Sequence, residues 1–331
     1  MHKSQRVLVT GANGLLGSNV VNQLAKKGYR AIVIVRKSGS RVSLKELECE
    51  IIECNLTNVW ELEQVVKECD FIIHCAANTQ QKPTGLTAYE QINIELTSNL
   101  IQLSKKYGIK RFIQVSTANC FTNGSLDNPG DETGGFMPWL KDSGYAYSKY
   151  LAQEMVLKEA AENSFPAIVV APTFIIGPRD ANISSGKLIM YGINRRIVFY
   201  PPGGKSIVDA EYAAEAIVNS LTMGRIGECY LLSGENLTYR EIFQKIGRVS
   251  NKKGILLQIP RWFLVLIANL FSFIEKVFCV SSSLNITNQK LLCLDNYFTN
   301  QKAVEELKLR ETNTDLAIEK AINWFRDKRY L

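Results

Sequence analysis

Two histidines, His2 and His74, are all that the 331-residue sequence contains, and none of its eight cysteines stands in a C-x-x-C pair. Without paired spacing or histidine partners no metal site is expected, and the scattered thiols read as small hydrophobes in a reducing compartment. Long runs of one charge are also missing. With 39 basic against 32 acidic side chains the excess is +7, which argues against a dedicated nucleic-acid binder and suits a modest anionic ligand better. Internal repeats and low-complexity tracts are absent. At 46% apolar and 21% charged, with 22 glycines and 9 prolines, collagen-like, mucin-like and largely disordered readings are excluded. Met1-His2-Lys3 leads almost directly into Val7-Leu8-Val9, too soon for a charged head, an apolar core and a cleavage site, so a cytoplasmic protein is expected.

What is present begins with a strand, a glycine-rich turn and a helix: Arg6 to Thr10, Gly11 to Gly17, then Ser18 through Lys27. Ala31–Val35, Ile51–Cys54, Phe71–Cys75, Arg111–Val115 and Pro166–Val170 follow as short apolar runs separated by helix-length segments, one of them from about Ala88 to Lys106. That alternation predicts a doubly wound, parallel α/β sheet. After Pro172 the pattern turns to loops and helices, with one more strand at Cys229–Leu232. The expected organisation is a Rossmann domain over residues 1–172, rejoined at about 206–232, and a smaller, mostly helical, discontinuous substrate lobe over 173–331. Such a lobe would lie over the C-terminal edge of the strands, where ligands bind in open α/β folds.

Gly11-x-x-Gly14-x-x-Gly17 follows a strand and opens a helix, the context in which backbone N–H groups and a helix N-terminus approach a pyrophosphate. The end of the second strand chooses between dinucleotides. An acid there would bind the ribose 2′-OH of NAD, an arginine the 2′-phosphate of NADP. Val35 is followed by Arg36-Lys37-Ser38, with no acid until Glu46, so NADP(H) is favoured over NAD(H).

Tyr145 and Lys149 stand four residues apart at the start of a helix, on one face. A phenol with a reference pKa of about 10 is too weak an acid-base catalyst at neutral pH unless a nearby ammonium stabilises its phenolate. With these residues, Thr10-Gly11-Ala12-Asn13-Gly14-Leu15-Leu16-Gly17, Asp70 to Ala77, Asn93 in Ile92–Thr97, Val115-Ser116-Thr117-Ala118 and Pro172 to Pro178, the chain resembles the extended short-chain dehydrogenase/reductase family, also called the NAD-dependent epimerase/dehydratase family. Tyr200–Lys205, Leu232–Asn236 and Ala321–Phe325 resemble its dihydroflavonol-reductase-like branch.

The resemblance implies that Tyr145 protonates the substrate carbonyl as hydride arrives. Lys149 would hold the nicotinamide ribose and depress the Tyr145 pKa; Thr117, preferred over Ser116, would bond the same carbonyl oxygen, and Asn93 would support Lys149 through water. It implies a cofactor site of Gly11, Asn13, Gly14, Leu15, Leu16, Gly17 and Arg36, then Asn55, Leu56, Cys75, Ala76, Ala77, Ser116, Tyr145, Lys149, Pro172, Thr173 and Ile175. His74 and Tyr147 read as packing residues. Asn55 stands where the family usually has an acid, and Ile207–Tyr212 matches the family's return segment only at Val208-Asp209.

Several reactions share this fold. Family dehydratases carry an Asp-Glu pair after the threonine, where this chain has Ala118-Asn119-Cys120, so dehydration is disfavoured. The expectation is an oxidoreductase interconverting a ketone or aldehyde with an alcohol. The alternatives are a nucleotide-sugar epimerase, with Lys187, Arg195 and Arg196 facing a diphosphate, and a non-catalytic dinucleotide-binding regulator. Finally, residues 262–274 are apolar but for Asn269 and Ser272. As a helix they reach about 20 Å, short of the roughly 30 Å hydrocarbon core, so a span is not expected. A buried lobe helix comes first, a dimer or lid surface and a monotopic membrane contact after it.

Overall fold

The computed structural model describes residues 5–80, 85–266 and 286–331. Its first half is built on a seven-stranded sheet of β1 (Arg6–Thr10), β2 (Arg30–Val35), β3 (Glu50–Glu53), β4 (Phe71–His74), β5 (Arg111–Val115), β6 (Ala167–Pro172) and β10 (Cys229–Leu232). All pairings are parallel, in the order β10-β6-β5-β4-β1-β2-β3. Continuous apolar runs form these strands because both faces are covered: Val7, Leu8 and Val9 have no exposed surface. Val9 and Val20 pack on one face with the Leu15–Lys26 and Ala210–Asn219 helices, and Leu8 and Leu100 on the other with the Leu96–Tyr107 and Gly144–Asn163 helices. The chain moves outward from β1 to β3, then crosses back to place β4 on the other side of β1. This reversal opens a crevice beyond the carboxyl ends of β1 and β4.

Local chemistry sets the element ends. Asn58 caps the Val59–Val66 helix by accepting from the backbone of Trp60 and Glu61, and Gly108, at φ 66°, ends the Leu96–Tyr107 helix in the left-handed region. Thr238 and Glu241 form a reciprocal capping box at the Tyr239–Val249 helix.

Beyond the strand expected at Cys229–Leu232, the second half contains short strands that the sequence pattern does not reveal. β9 (Gly204–Asp209) pairs with β7 (Phe174–Ile176), β11 (Glu235–Thr238) and β13 (Asp295–Asn296) in a small sheet. β9 takes its hydrogen bonds in this small sheet, while Val208 and the Ala210–Asn219 helix pack into the core of the large one. The Gln301–Leu307 helix also packs back on β10, burying Ala303 and Leu307. β8 (Ile197–Tyr200) and β12 (Ile255–Gln258) form a separate two-stranded parallel ribbon. Among the described residues no helix is long and apolar enough to cross a membrane. Of the apolar stretch 262–274, residues 267–274 lie outside the described residues. Residues 262–266 are helical and mostly exposed, which corrects the expectation of a buried helix for that part.

Candidate active site

The glycine loop joins β1 to the Leu15–Lys26 helix, and its three glycines answer to different constraints. Gly11 has φ 67°, and a Cβ there would come within 2.7 Å of the Ala76 backbone nitrogen; one at Gly17 would come within 2.3 Å of the Gly11 carbonyl oxygen. The fold itself requires both. At Gly14 an added Cβ would meet nothing nearer than the Gly11 oxygen at 3.4 Å, so the bareness of that position serves the space outside the helix. Gly14 is also the N-cap, with no side chain bonding the first N–H groups. Open backbone donors at a positive helix end, with Leu15 and Leu16 in the first turn, fit the pyrophosphate of a dinucleotide. Asn13 ties this loop to the turn after β2: its Nδ2 donates to the Ser40 carbonyl at 3.2 Å, and its own carbonyl accepts from Ser43 Oγ at 2.8 Å.

A cleft of about 580 Å³ opens beside that turn, lined by Arg36, Lys37, Ser38, Glu53, Cys54, Asn55 and Glu61. Its carboxylates are already engaged. Glu53 pairs with Arg41, and Glu61 accepts from the Asn55 backbone and from Asn58 Nδ2, both at 2.8 Å. Asn55 spends its side-chain oxygen on the backbone and hydroxyl of Thr57 at 3.2 and 3.0 Å, while Leu56 packs into the core. Arg36 and Lys37 are exposed and make no ion pair among the described residues, which leaves two cations for an anionic group.

At the end of β5 the chain places Ser116 and Thr117, and the Gly144–Asn163 helix brings Tyr145 and Lys149 to them. Thr117 stands beside the Tyr145 phenol and favours its ionised form. Ser116 faces elsewhere: its Oγ donates to Gln153 at 2.8 Å. Thr117, not Ser116, is thus the hydroxyl residue beside Tyr145. Burial, with Cys120 adding to it, pushes the Tyr145 phenol up to about 12, against the lowering by Thr117, so it stays protonated at neutral pH. The Lys149 Nζ donates to the Val115 carbonyl at 2.6 Å, and burial brings its pKa down to about 8. The neighbouring thiols of Cys75 and Cys120, raised to about 12 and about 11 by burial, offer it no negative charge.

Asn93 sits in a π-helical turn, Glu90–Glu95, and is buried. Its Nδ2 donates to Ser148 Oγ at 2.8 Å and to the Asn78 carbonyl at 3.2 Å, while its Oδ1 accepts from the Asn78 backbone at 2.7 Å. It therefore anchors the Gly144–Asn163 helix through Ser148, next to Lys149. Sequence reading missed Ser148, Asn78 and Gln153; only Ser148 carried a signal, as Lys149's neighbour in the motif. His74 completes a buried chain. Its Nδ1 meets Thr10 Oγ1 at 2.7 Å and its Nε2 meets Thr97 Oγ1 at 3.2 Å, while Thr97 donates to the Asn93 carbonyl at 2.9 Å. Burial holds its pKa down to about 3, and with both ring nitrogens engaged it is a structural connector. Tyr147 packs against Phe136 and Tyr150 with ring centroids 6.0 and 6.5 Å away.

Cys75, Ala76 and Ala77 leave β4 against the glycine loop, the Ala76 N–H donating to Thr10 Oγ1 at 3.2 Å. Pro172 ends β6, the Thr173 N–H donates to the Leu232 carbonyl at 3.1 Å, and Ile175 pairs with Val208 in the lobe sheet. Lys187, in the Gly186–Ile193 helix, and Arg195 and Arg196 are not drawn into this group. The two arginines line a separate cleft of about 220 Å³ with Lys252 and Lys253.

Compared with known proteins, the model of the NAD dependent epimerase/dehydratase family matches residues 7–205. The chain is 24% identical over 328 residues to the "Putative dihydroflavonol 4-reductase" of Synechocystis sp., covering 98% of this chain and 95% of that protein. It is 26% identical over 306 residues to a sterol-4-alpha-carboxylate 3-dehydrogenase, decarboxylating, of Dictyostelium discoideum, covering 86% and 92%. The crystal structure of gox2253 matches the fold with a TM-score of 0.86 at 27% identity, covering 98% of this chain and 99% of the other.

Proposed function

The chain belongs to the NAD dependent epimerase/dehydratase family and is an NAD(P)-dependent oxidoreductase, and from that premise we propose that it reduces a ketone or aldehyde with NADPH, Tyr145 supplying the proton. The observation that carries this reading is the placing of Thr117 beside the Tyr145 phenol, one helical turn from a buried lysine. When bound, the reduced nicotinamide supplies the hydride. The chain's own part is to hold the carbonyl oxygen between the two hydroxyls in a near-attack position and to transfer the Tyr145 proton to that oxygen as it becomes an alkoxide. A phenol held protonated suits a donor at neutral pH, and solvent restores the proton after each turnover.

Two further observations favour reduction over the other reactions of the fold. Ala118 and Cys120 are buried and no carboxylate follows Thr117, so elimination lacks an acid and base there. Arg36 and Lys37 line the cleft after β2 without a paired carboxylate, which favours a 2′-phosphate and an exchangeable NADPH over tightly held NAD.

The test mixes the protein with NADPH or NADH and a panel of ketones, aldehydes and UDP-sugars, following absorbance at the reduced nicotinamide band. Oxidation of NADPH by a carbonyl compound, faster than of NADH, is the expected outcome. Interconversion of UDP-sugars with no net change in the cofactor would replace this reading with an epimerase. Binding of NADPH without turnover of any compound would replace it with a regulator.

A further inference from the structure

The β8–β12 ribbon carries apolar side chains on both faces. Register pairs Ile197 with Ile255 and Phe199 with Leu257, so these four apolar side chains form cross-strand pairs on one face. That face is the solvent side: Phe199 is 47% exposed and Ile255 64%, while Val198 and Tyr200, between them, are buried in the lobe core. An antiparallel or ribbon-like sheet with one wet face normally alternates polar residues onto it. The chain leaves the ribbon through Pro260 into a helical turn whose Trp262, Phe263 and Leu266 are also exposed, Trp262 at 68%. A contiguous apolar face of this kind marks an interaction site.

Charge identifies the partner. From Ala181 to Val208 and from Ile242 to Leu266, the two segments that build the ribbon and its flanks, there is no Asp or Glu and there are nine Lys or Arg. Without those nine, the remaining 30 basic and 32 acidic side chains come to −2, so the whole positive excess of the chain resides there. Lys245 pairs with Glu235 and Asp315, and Arg248 with Asp315. Arg195, Arg196, Lys252 and Lys253 are exposed, make no ion pair among the described residues, and gather around one cleft at the amino end of both ribbon strands. Exposed cations and a tryptophan bordering an apolar face suit a surface lying flat on an anionic bilayer, charges at the headgroups and aromatic and aliphatic side chains at the acyl boundary.

We propose that the β8–β12 ribbon docks this protein on an anionic lipid bilayer, Arg195, Arg196, Lys252 and Lys253 meeting the headgroup phosphates and Phe199, Leu257 and Trp262 entering the interface. The contact is peripheral, since no described helix crosses a membrane. It stands whether or not the carbonyl-reductase reading holds, because none of these residues belongs to the Thr117, Tyr145 and Lys149 group.

The experiment is co-sedimentation of the full chain with vesicles of phosphatidylcholine alone and of phosphatidylcholine mixed with phosphatidylglycerol. Binding to the mixed vesicles, weakened by salt, is expected, with little to the neutral ones. Phe199→Glu with Leu257→Glu, and separately Arg196→Glu with Lys252→Glu, should each reduce the bound fraction about tenfold or more. Both double variants should keep the wild-type circular dichroism, melting temperature and NADPH affinity. The proposal is overturned if the wild type ignores anionic vesicles at low salt, or if folded double variants bind them as the wild type does. It is also overturned if the apolar variant turns a dimer into a monomer while vesicle binding is unchanged, since the face would then join two copies of the chain.

Discussion

The side-chain group at the end of β5 and the β8–β12 ribbon are opposites. The group buries what is ordinarily exposed: Lys149 is 3% exposed and His74 and Asn93 each 1%, with no carboxylate among the described residues pairing with the lysine. The ribbon exposes what is ordinarily buried, Phe199 and Leu257 among them. Both break the rule that folding stability alone would write, and in both the broken rule lies where a ligand is proposed. The difference is in cost. An unpaired buried ammonium is penalised by desolvation, whereas an exposed leucine only forgoes burial.

The comparison is most sharply tested at Lys149. Its pKa falls from 10.5 to about 8 through burial, so the unfolded chain holds a proton that the folded one has lost between those values. Stability therefore rises with pH across that window, and below about 8 the whole penalty is present, roughly 3 kcal/mol. Lys149→Met removes it, less about 1 kcal/mol for leaving the Val115 carbonyl without its donor. The expected result is a variant about 2 kcal/mol more stable than wild type at pH 7 by urea titration, with no climb above pH 8. Turnover should meanwhile fall roughly 10²-fold or more. A Lys149→Met protein less stable than wild type at pH 7 would erase the contrast. At the ribbon the expected stability effect is the smallest: Leu257→Gln should shift the unfolding free energy by no more than about 0.5 kcal/mol. A loss well above that would mean the face is part of a core.

Sequence legibility divides along the same line. The large sheet can be read because Val7–Val9, Ala31–Val35 and Cys229–Leu232 are continuous apolar runs between turn residues, and the glycine loop and the Tyr145–Lys149 pair are spaced by local geometry alone. β7, β9 and β11 are three to six residues long, with Gly204, Lys205, Glu235 and Asn236 among them, and become strands only through partners far along the chain. Composition carries no such pairing. The same holds inside the site. That Ser116 turns to Gln153, that Asn93 holds Ser148, and that Lys149 spends its donor on Val115 are consequences of packing between elements 34 to 55 residues apart. Residues 262–266 differ from expectation for a related reason: apolarity suggests burial, yet Trp262 and Leu266 are exposed.

The central claim is that Tyr145, held protonated beside Thr117, delivers the proton that completes carbonyl reduction. Its most direct test is Tyr145→Phe, measured on whichever carbonyl compound the wild type reduces, alongside the dissociation constant for NADPH. The account expects turnover to fall roughly 10²- to 10⁴-fold with NADPH affinity and melting temperature unchanged. Retention of most of the turnover by a folded, NADPH-binding Tyr145→Phe protein would contradict it.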